Sequence, residues 1–307
     1  MTGAPVPQCW ALRVRYRPPF DWQAMLAFLG TRAMPGVERV GGDRYARVFD
    51  IAGRTGTVEV ADVPARHSLR AIVRADDRAV LPAIRIRLRR LFDLDADPAA
   101  IAAVLGGDPT LGPLVAARPG LRVPGAWEPL ELAVRAVLGQ QITVRAATRL
   151  AARLVDALGI RVDTAGDGMT RAFPRADAFD VAVIRSLGMP AARAAAIAGI
   201  ARATREDDGL FEPDSDPGAD PDAAIARLCA LPGVGAWTAQ YIAMRAMRMR
   251  DAFPAGDVAL QRILAEGGQR PSAVALRARS EAWRPWRAYA VLHLWTSEAL
   301  RDAAMAA

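Results

Sequence analysis

The hydrophobic pattern of this sequence changes near residue 95, and the change limits the folds that the chain can adopt. Before this point, apolar and polar residues alternate as they do in half-buried strands, at 11–17, 45–51, 57–63 and 69–74. Two amphipathic helical stripes, Trp22 to Leu29 and Leu81 to Phe92, interrupt these strands. After residue 95, apolar residues recur at helical spacing and the alternation does not return. The pattern predicts an α+β domain over residues 1–95 and a mostly α-helical domain over residues 96–307.

The composition excludes several other classes of protein. With 307 residues, 52% of them hydrophobic and 24% charged, the chain can bury a core and is not mainly disordered. Its two cysteines, Cys9 and Cys229, are too few for a disulfide framework, a four-cysteine zinc site or a four-cysteine iron–sulfur cluster. The sequence has no signal-peptide pattern at its start and no apolar stretch of membrane-spanning length. We therefore expect a soluble cytoplasmic protein.

The charged residues favour a polyanionic partner. The 40 basic residues outnumber the 33 acidic ones, which gives a net charge of +7 and a pI near 10.5. Nucleic acid is such a partner, although charge alone does not select it. All of the basic residues are arginine, and the sequence contains no lysine. A GC-rich coding bias explains this composition, and the absence of lysine also constrains the mechanism.

A glycine-containing turn separates two helical segments within about residues 222–247. Its sequence is Leu231-Pro232-Gly233-Val234-Gly235. The two glycines allow a tight turn, and a side chain at either position would hold a DNA backbone away. Free backbone N–H groups at the start of the second helix can bind a phosphate. Taken alone, the same residues also fit an ordinary helical hairpin.

A single aspartate is the candidate for chemistry. Asp257 follows Gly235 by 22 residues and precedes a short helical segment that begins at Val258. Taken alone, an aspartate at this position is an N-cap, which accepts hydrogen bonds from the free N–H groups of the helix. The cap and the helix dipole also favour an ionised carboxylate, as electrostatic catalysis requires. The two roles are therefore compatible.

Together these segments resemble a known family. Leu231–Gly235, Trp237-Thr238-Ala239 and Phe253–Asp257 are similar to the helix-hairpin-helix superfamily of DNA glycosylases. Within it, the chain most resembles the bacterial 3-methyladenine DNA glycosylase II family, which removes alkylated bases in base excision repair. Further motifs cover nearly the whole chain, at 17–22, 117–122, 137–141, 187–190 and 286–295. The resemblance implies an N-terminal antiparallel α+β domain followed by a helical, helix-hairpin-helix glycosylase core.

The resemblance also implies an activity. The protein is expected to flip a nucleotide out of double-stranded DNA and to hydrolyse the N-glycosidic bond of an alkylated purine such as 3-methyladenine or 7-methylguanine. Related enzymes that also cut the strand use a lysine near the start of the second hairpin helix, where Trp237 stands here. We therefore expect a monofunctional enzyme that leaves an abasic site. It needs no cofactor, no membrane and no obligate protein partner, and it works on the nucleoid.

The family's site residues carry over to matching positions. Asp257 is the expected catalytic residue, and the base-binding cleft is expected to hold four aromatic residues: Trp237, Tyr241, Trp295 and Phe28. Electron-rich rings suit a cationic base. Trp237 and Tyr241 lie one helical turn apart and so share a face. Core packing is the alternative role for each ring. Val258 replaces an aromatic residue of better-known members, which predicts a roomier pocket or a different preference.

The DNA-contacting residues also follow from the resemblance. Gln141 is expected to fill the gap left by the flipped base, with Ile142 as the apolar alternative and helix capping as another role for the glutamine. The DNA backbone is expected to meet the hairpin at Leu231, Gly233, Val234 and Gly235. The hairpin carbonyls are expected to hold a monovalent cation, and no protein-bound zinc or iron is implied.

Two other functions stay open on the sequence. One is a glycosylase for oxidised or mispaired bases, which the missing lysine and the missing iron–sulfur cysteines disfavour. The other is a non-catalytic helix-hairpin-helix protein that binds damaged DNA. A non-catalytic clamp requires neither Asp257 nor an aromatic cleft nor a wedge, yet the sequence offers candidates for all of them.

Overall fold

The N-terminal part of the computed structural model, which describes residues 8–163, 168–212 and 221–306, is a five-stranded antiparallel sheet. The alternation at 11–17 buries Leu12 and Val14 and exposes Arg13 and Arg15, as predicted. The strands, in the spatial order β1-β5-β4-β3-β2, are β1 Gln8–Arg15, β2 Glu38–Gly41, β3 Arg44–Ile51, β4 Arg54–Val63 and β5 Ser68–Ala75.

Two helices cover the apolar face of this sheet. They are α1 (Trp22–Gly30) and α2 (Leu81–Leu91), and their apolar stripes share one core with the inward residues of the strands. Arg85 and Arg89 of α2 also donate hydrogen bonds, at 3.1 and 3.4 Å, to the backbone carbonyls of Arg13 and Arg15 on the edge strand β1. The helix therefore satisfies two carbonyls that the sheet edge would otherwise leave open.

The rest of the described chain is mostly helical, which confirms the predicted fold class. The helices are α3 Pro98–Leu105, α4 Leu111–Ala117, α5 Pro129–Leu138, α6 Val144–Leu158, α7 Val181–Ser186, α8 Ala191–Glu206, α9 Asp222–Cys229, α10 Ala236–Arg245, α11 Val258–Ile263, α12 Ala273–Ser280 and α13 Arg287–Ala306. Helix α5 is buried on most of its surface and packs against α8 and α10.

The sequence pattern missed one small ribbon. Strands β6 (Ile160–Arg161) and β7 (Arg171–Ala172) pair antiparallel and pack against the outer side of β3. Each is only two residues long, which is too short to display an alternation. These two strands were therefore not predicted from the pattern after residue 95, although this part of the chain is mostly helical as expected.

Buried ion pairs join the sheet to the helical part. Arg47 of β3 is 1% exposed, and its Nη2 donates to Glu131 of α5 at 2.8 Å. Arg135 of α5 donates to Glu38 of β2 at 3.0 Å and to Glu131 at 3.1 Å. Trp127, just before α5, belongs to the core of the sheet. The sheet and the helical part are therefore joined by buried ion pairs and by apolar packing.

The described residues include neither a candidate membrane span nor a candidate metal-binding cluster. Over 8–163, 168–212 and 221–306, no helix combines the length and apolar character that a bilayer crossing requires. In the same ranges, no group of three or more His, Cys, Asp or Glu side chains is arranged to hold a metal ion. Cys9 and Cys229 are both free and exposed.

Candidate active site

The glycine turn forms a hairpin between α9 and α10. Gly233 has a φ of +81°, and a Cβ there would lie 2.5 Å from Cβ of Ala196 on α8, so the fold itself requires this glycine. A Cβ on Gly235 would instead meet nothing within 4 Å. No side chain caps α10 at Gly235. The backbone N–H groups at the start of α10 are therefore open to an external acceptor, as phosphate binding requires.

The expected cation-binding carbonyls already have hydrogen-bond donors. Leu231 O accepts from Val234 N at 3.1 Å, and Gly233 O accepts from the Gln140 side chain at 3.0 Å. Val234 itself is buried, whereas Gly233 and Gly235 are exposed. Each carbonyl has a second lone pair, so a cation at this turn stays a prediction.

Sequence reasoning missed the role of Gln140. Its side-chain Nε2 donates to Gly233 O and to Thr238 Oγ1, both at 3.0 Å, and its backbone carbonyl accepts from Arg193 of α8 at 2.9 Å. The side chain thus ties the end of α5 to the hairpin. The motif at 137–141 marked this segment, but only a tertiary contact with a residue 93 positions away assigns the role to Gln140.

Replacing Gln140 by Leu is expected to weaken binding to undamaged duplex DNA by about three- to tenfold. The hairpin would lose two hydrogen bonds, each worth about 1 kcal/mol, and its backbone would be held less well for phosphate contacts. Fluorescence anisotropy with a labelled duplex measures this affinity. Gln23→Leu is the matched control, because Gln23 donates to Asp43 away from the hairpin. Equal affinities for native protein and Gln140→Leu would contradict the role.

Asp257 caps α11 and also contacts two indoles. Its Oδ1 accepts from Leu260 N at 2.9 Å and from Trp295 Nε1 at 3.2 Å, and its Oδ2 accepts from Trp237 Nε1 at 2.8 Å. The residue is only 8% exposed. Three N–H donors thus fix the orientation of one carboxylate. Asp257 therefore caps α11 and at the same time contacts two of the aromatic residues, Trp237 and Trp295.

The aromatic residues form part of a stacked column. The rings of Trp237 and Tyr241 are parallel within 11° at a centroid distance of 5.2 Å. The guanidinium of Arg245 lies 5.2 Å from the Tyr241 ring and 4.8 Å from the Phe28 ring, and Arg32 lies 3.8 Å from Phe28. Residues 237, 241 and 245 lie on successive turns of α10, so Tyr241 has the Trp237 ring on one neighbouring turn and the Arg245 guanidinium on the other.

The cations change the acidity of Tyr241. Arg245 Nη1 donates to the Tyr241 hydroxyl. Burial by itself raises the pKa of this hydroxyl, but the guanidinium groups of Arg245 and Arg32 outweigh burial and lower the pKa. Burial lowers the pKa of Arg32, and the neighbouring Arg245 and Arg135 lower it further. Positive charge is therefore concentrated on this side of the site.

A cavity of about 720 Å³ opens beside Asp257. It lies among α5, α6, α10, α11 and α13, and its volume falls in the range of small-molecule sites. Trp237, Tyr241 and Trp295 line it together with Asp257. Four arginines also line it: Arg32, Arg135, Arg245 and Arg262.

Phe28 does not line this cavity. It packs against both hydrophobic cores, and the guanidinium groups of Arg32 and Arg245 contact its ring. The structure thus brings three of the four predicted aromatic residues to the cavity wall and places Phe28 outside that wall.

The expected wedge residues lie where α5 ends. Gln141 is exposed and has a φ of +61°, a conformation that is uncommon for a residue other than glycine. Ile142 is 36% exposed and lines the cavity, which Gln141 does not. Val144 and Val258 are also exposed. Apolar side chains thus reach the surface around residues 142–144 and at the start of α11.

The fold and the site together define a class of protein. The chain belongs to the HhH-GPD superfamily of base excision DNA repair proteins, whose family model matches residues 134–288. The AlkA N-terminal domain model matches residues 11–128. The chain is 36% identical over 286 residues to DNA-3-methyladenine glycosylase 2 of Escherichia coli K12. The matched region covers 93% of this chain and 96% of that protein.

Other relatives extend the comparison. The "Probable bifunctional transcriptional activator/DNA repair enzyme AlkA" of Mycobacterium tuberculosis H37Rv is 39% identical over 94% of this chain, and the chain spans only 57% of that protein's length. Among solved structures, a 3-methyladenine DNA glycosylase from Archaeoglobus fulgidus matches with a TM-score of 0.78 at 22% identity, over 92% of this chain and 96% of that one. The structural match establishes the shared fold.

Proposed function

We propose that this protein is a DNA glycosylase that hydrolyses the N-glycosidic bond of alkylated purines in double-stranded DNA. The observation that carries the proposal is the Asp257 carboxylate, which two indole N–H groups and a helix N-terminus hold on the wall of a cavity. The similarity to a protein named DNA-3-methyladenine glycosylase 2 supports the substrate class. DNA in the cytoplasmic nucleoid is the proposed partner.

Asp257 supplies the charge that the reaction needs. As the bond between C1′ and the base nitrogen breaks, its electron pair leaves with the base and the sugar acquires oxocarbenium character. A fixed carboxylate beside the sugar stabilises this positive charge. The oxygen of a water molecule then bonds to C1′ and releases a proton, which leaves an abasic site. A purine methylated at N3 or N7 already carries positive charge, so it leaves without a strong general acid.

The proposed enzyme has no strand-cleaving activity. Strand cleavage by a glycosylase needs an amine that forms an imine with the sugar. The sequence contains no lysine, and Trp237 occupies the position near the start of α10. The indole of Trp237 instead donates to Asp257. The residue thus serves the hydrolytic reaction at the position where a lyase would carry its nucleophile.

The flipped base is proposed to contact Trp237 and Trp295. Both rings line the cavity, and each is tied to Asp257 through its indole nitrogen. Tyr241 stacks on Trp237 with one ring face, and its hydroxyl accepts from Arg245, so part of this side chain is already in contact. We assign Phe28 a supporting role behind the cavity wall.

The wedge is proposed to be Gln141, and its replacement tests this. Gln141→Ala is expected to slow base release from a fully paired duplex about tenfold, because the gap left by the flipped base would go unfilled. The same variant should lose less than about threefold when the lesion lies opposite an abasic site, where no pairing opposes flipping. Single-turnover rates on the two duplexes measure the difference. Equal losses on both duplexes would contradict a wedge, and a paired-duplex defect in Ile142→Ala alone would assign the role to Ile142.

The activity is tested by base release from a defined lesion. Purified protein in excess is incubated with duplexes that carry one 7-methylguanine or one 3-methyladenine, and half of each sample is heated in alkali. Base release, with strand breaks only after alkali, is expected. Binding without release would instead favour a non-catalytic damage-binding protein. Release of 8-oxoguanine with strand breaks before alkali would favour an oxidised-base glycosylase. Because the purified chain acts alone in this assay, activity also tests whether a protein partner is needed.

A further inference from the structure

A row of arginines lies on the solvent face of α6. Arg145, Arg149 and Arg153 are all exposed and follow each other at intervals of four residues, so their side chains share one face of the helix. They are spaced about 6 Å apart along the helix axis. The face that carries Leu154 and Val155 is buried in the core. We refer to the three arginines as the α6 stripe.

The charges of the α6 stripe are not balanced within the protein. In the part of the chain that the structure describes, none of the three side chains forms an ion pair or a hydrogen bond. Asp156, the acidic residue next along α6, pairs instead with Arg171 at 3.1 Å. Like charges one helical turn apart repel each other and destabilise the helix. A polyanion bound along this face would relieve the repulsion.

The α6 stripe and the cavity lie on opposite sides of the helix. The residues that line the cavity at the start of α6 are Thr143, Val144, Ala147 and Thr148. At about 3.6 residues per turn, these positions point in the direction opposite to that of the stripe. Gln141, the proposed wedge, lies in the turn that leads into α6. The α6 stripe therefore starts at the wedge and faces away from the cavity.

A wedge between the two DNA strands gives each strand a different protein surface. A flipped nucleotide enters the cavity from its own strand, so the lesion strand runs on the cavity side of the wedge. The hairpin lies on that side as well, because α10 begins at the hairpin and carries Trp237 and Tyr241 into the cavity wall. The opposite strand then lies across the wedge from the cavity, on the side that the α6 stripe faces.

We propose that the α6 stripe binds phosphates of the strand opposite the lesion. Guanidinium groups pair with phosphate through two parallel hydrogen bonds and always carry their charge. The stripe extends over about 12 Å of helix, a length in which one strand presents about three to four phosphates. It holds the intact strand in place while the lesion strand is distorted. The inference rests on the proposed function and adds a second DNA-contacting surface to it.

Neutral phosphates test which strand the stripe contacts. Duplexes carry a tetrahydrofuran abasic analogue at the lesion position, and a window of three consecutive methylphosphonates is moved stepwise along either strand. Fluorescence anisotropy measures each Kd. The native protein is expected to bind about tenfold or more weakly when one window of the opposite strand is neutral. The triple variant Arg145→Gln, Arg149→Gln and Arg153→Gln should bind the unmodified duplex about tenfold or more weakly. It should lose nothing further at that window and keep the native sensitivity to windows in the lesion strand.

A second triple variant removes the same charge elsewhere and is the matched control. Arg13, Arg70 and Arg74 are exposed on the outer face of the sheet, and Arg13 and Arg70 lie directly opposite each other in the pairing of β1 with β5. Their replacement by glutamine should leave the affinity within about threefold of the native one, because salt screens distant charges. The stripe variant should also lower the slope of log Kd against log salt concentration by about two to three, since each phosphate contact contributes about 0.9. The control should keep the native slope.

The outcomes separate the strand contact from net charge and from the proposed activity. Equal losses of affinity in the two triple variants, or a stripe variant that still responds to the opposite-strand window, would overturn the inference. A stripe variant that becomes insensitive to the lesion-strand windows instead would place the contact on the wrong strand and overturn it as well. If the native protein shows the expected pattern but releases no methylated purine, the proposed activity fails and the strand contact stands.

Discussion

Asp257→Asn is expected to slow single-turnover base release by about a hundredfold or more while the protein stays folded. Asparagine keeps a carbonyl oxygen that can cap α11 through Leu260 N, but it brings no negative charge to the sugar. Removal of one fixed electrostatic contact in an active site typically costs about 10²–10³ in rate. Release of 7-methylguanine from a defined duplex measures the loss, and thermal unfolding measures the stability.

Asp108→Asn is the matched control for this experiment. Asp108 also accepts from backbone N–H groups at the start of a helix, Thr110 N at 2.8 Å and Leu111 N at 3.0 Å, and from the indole of Trp283 at 2.7 Å. It does not line the cavity. The two substitutions should therefore cost similar stability, and only the one at Asp257 should slow release. Release that persists in Asp257→Asn would keep the activity and reject the mechanism.

Glu131→Leu is expected to destabilise the protein by about 3–5 kcal/mol, because breaking a buried ion pair leaves its partner charge uncompensated. Glu131 is 4% exposed and pairs with both Arg47 and Arg135. Arg47 would keep only Glu38, at 3.6 Å. Urea unfolding followed by tryptophan fluorescence and by helical circular dichroism measures the loss. Both signals should shift together, because the ion pairs join the sheet to the helical part.

A surface pair provides the comparison. Glu59 bonds Arg44 across the outer side of the sheet, with side-chain exposures of 24% and 49%. Exposed pairs contribute about 0–1 kcal/mol, so Glu59→Leu should cost less than about 1 kcal/mol. Similar losses in the two variants would show that burial of the network around Glu131 does not set its contribution.

The fold could be predicted from the sequence because most of its elements depend on interactions between residues that are close together in the chain. The alternation of β1, the helical stripes and the glycine turn each express an interaction within a few residues. The capping role of Asp257 could be predicted in the same way, since capping depends on the residues that immediately follow it. Its catalytic role followed only from the resemblance of the surrounding motifs to the glycosylases. The β6–β7 ribbon could not be predicted from a local pattern, because it forms against β3, a strand more than a hundred residues earlier.

The parts of the site that the sequence did not reveal are tertiary. Gln140 supports the hairpin across 93 residues, and the indoles of Trp237 and Trp295 reach Asp257 across 20 and 38. Phe28 was expected in the cleft, yet Arg32 and Arg245 contact its ring and it lies outside the cavity wall. No periodicity reports such a placement, because an arginine on a helix face has the same spacing whether it points to solvent or into a core.

The stacked column has a consequence for how such proteins can be recombined. Phe28 lies in α1 and Arg32 just follows it, so the N-terminal segment supplies a cavity-lining arginine and the ring beneath it. A chimera joined near residue 95 would therefore exchange part of the binding pocket as well as an accessory domain. Shuffling N-terminal segments between members of this superfamily should alter which bases a given helical core accepts, even when every residue of that core is retained.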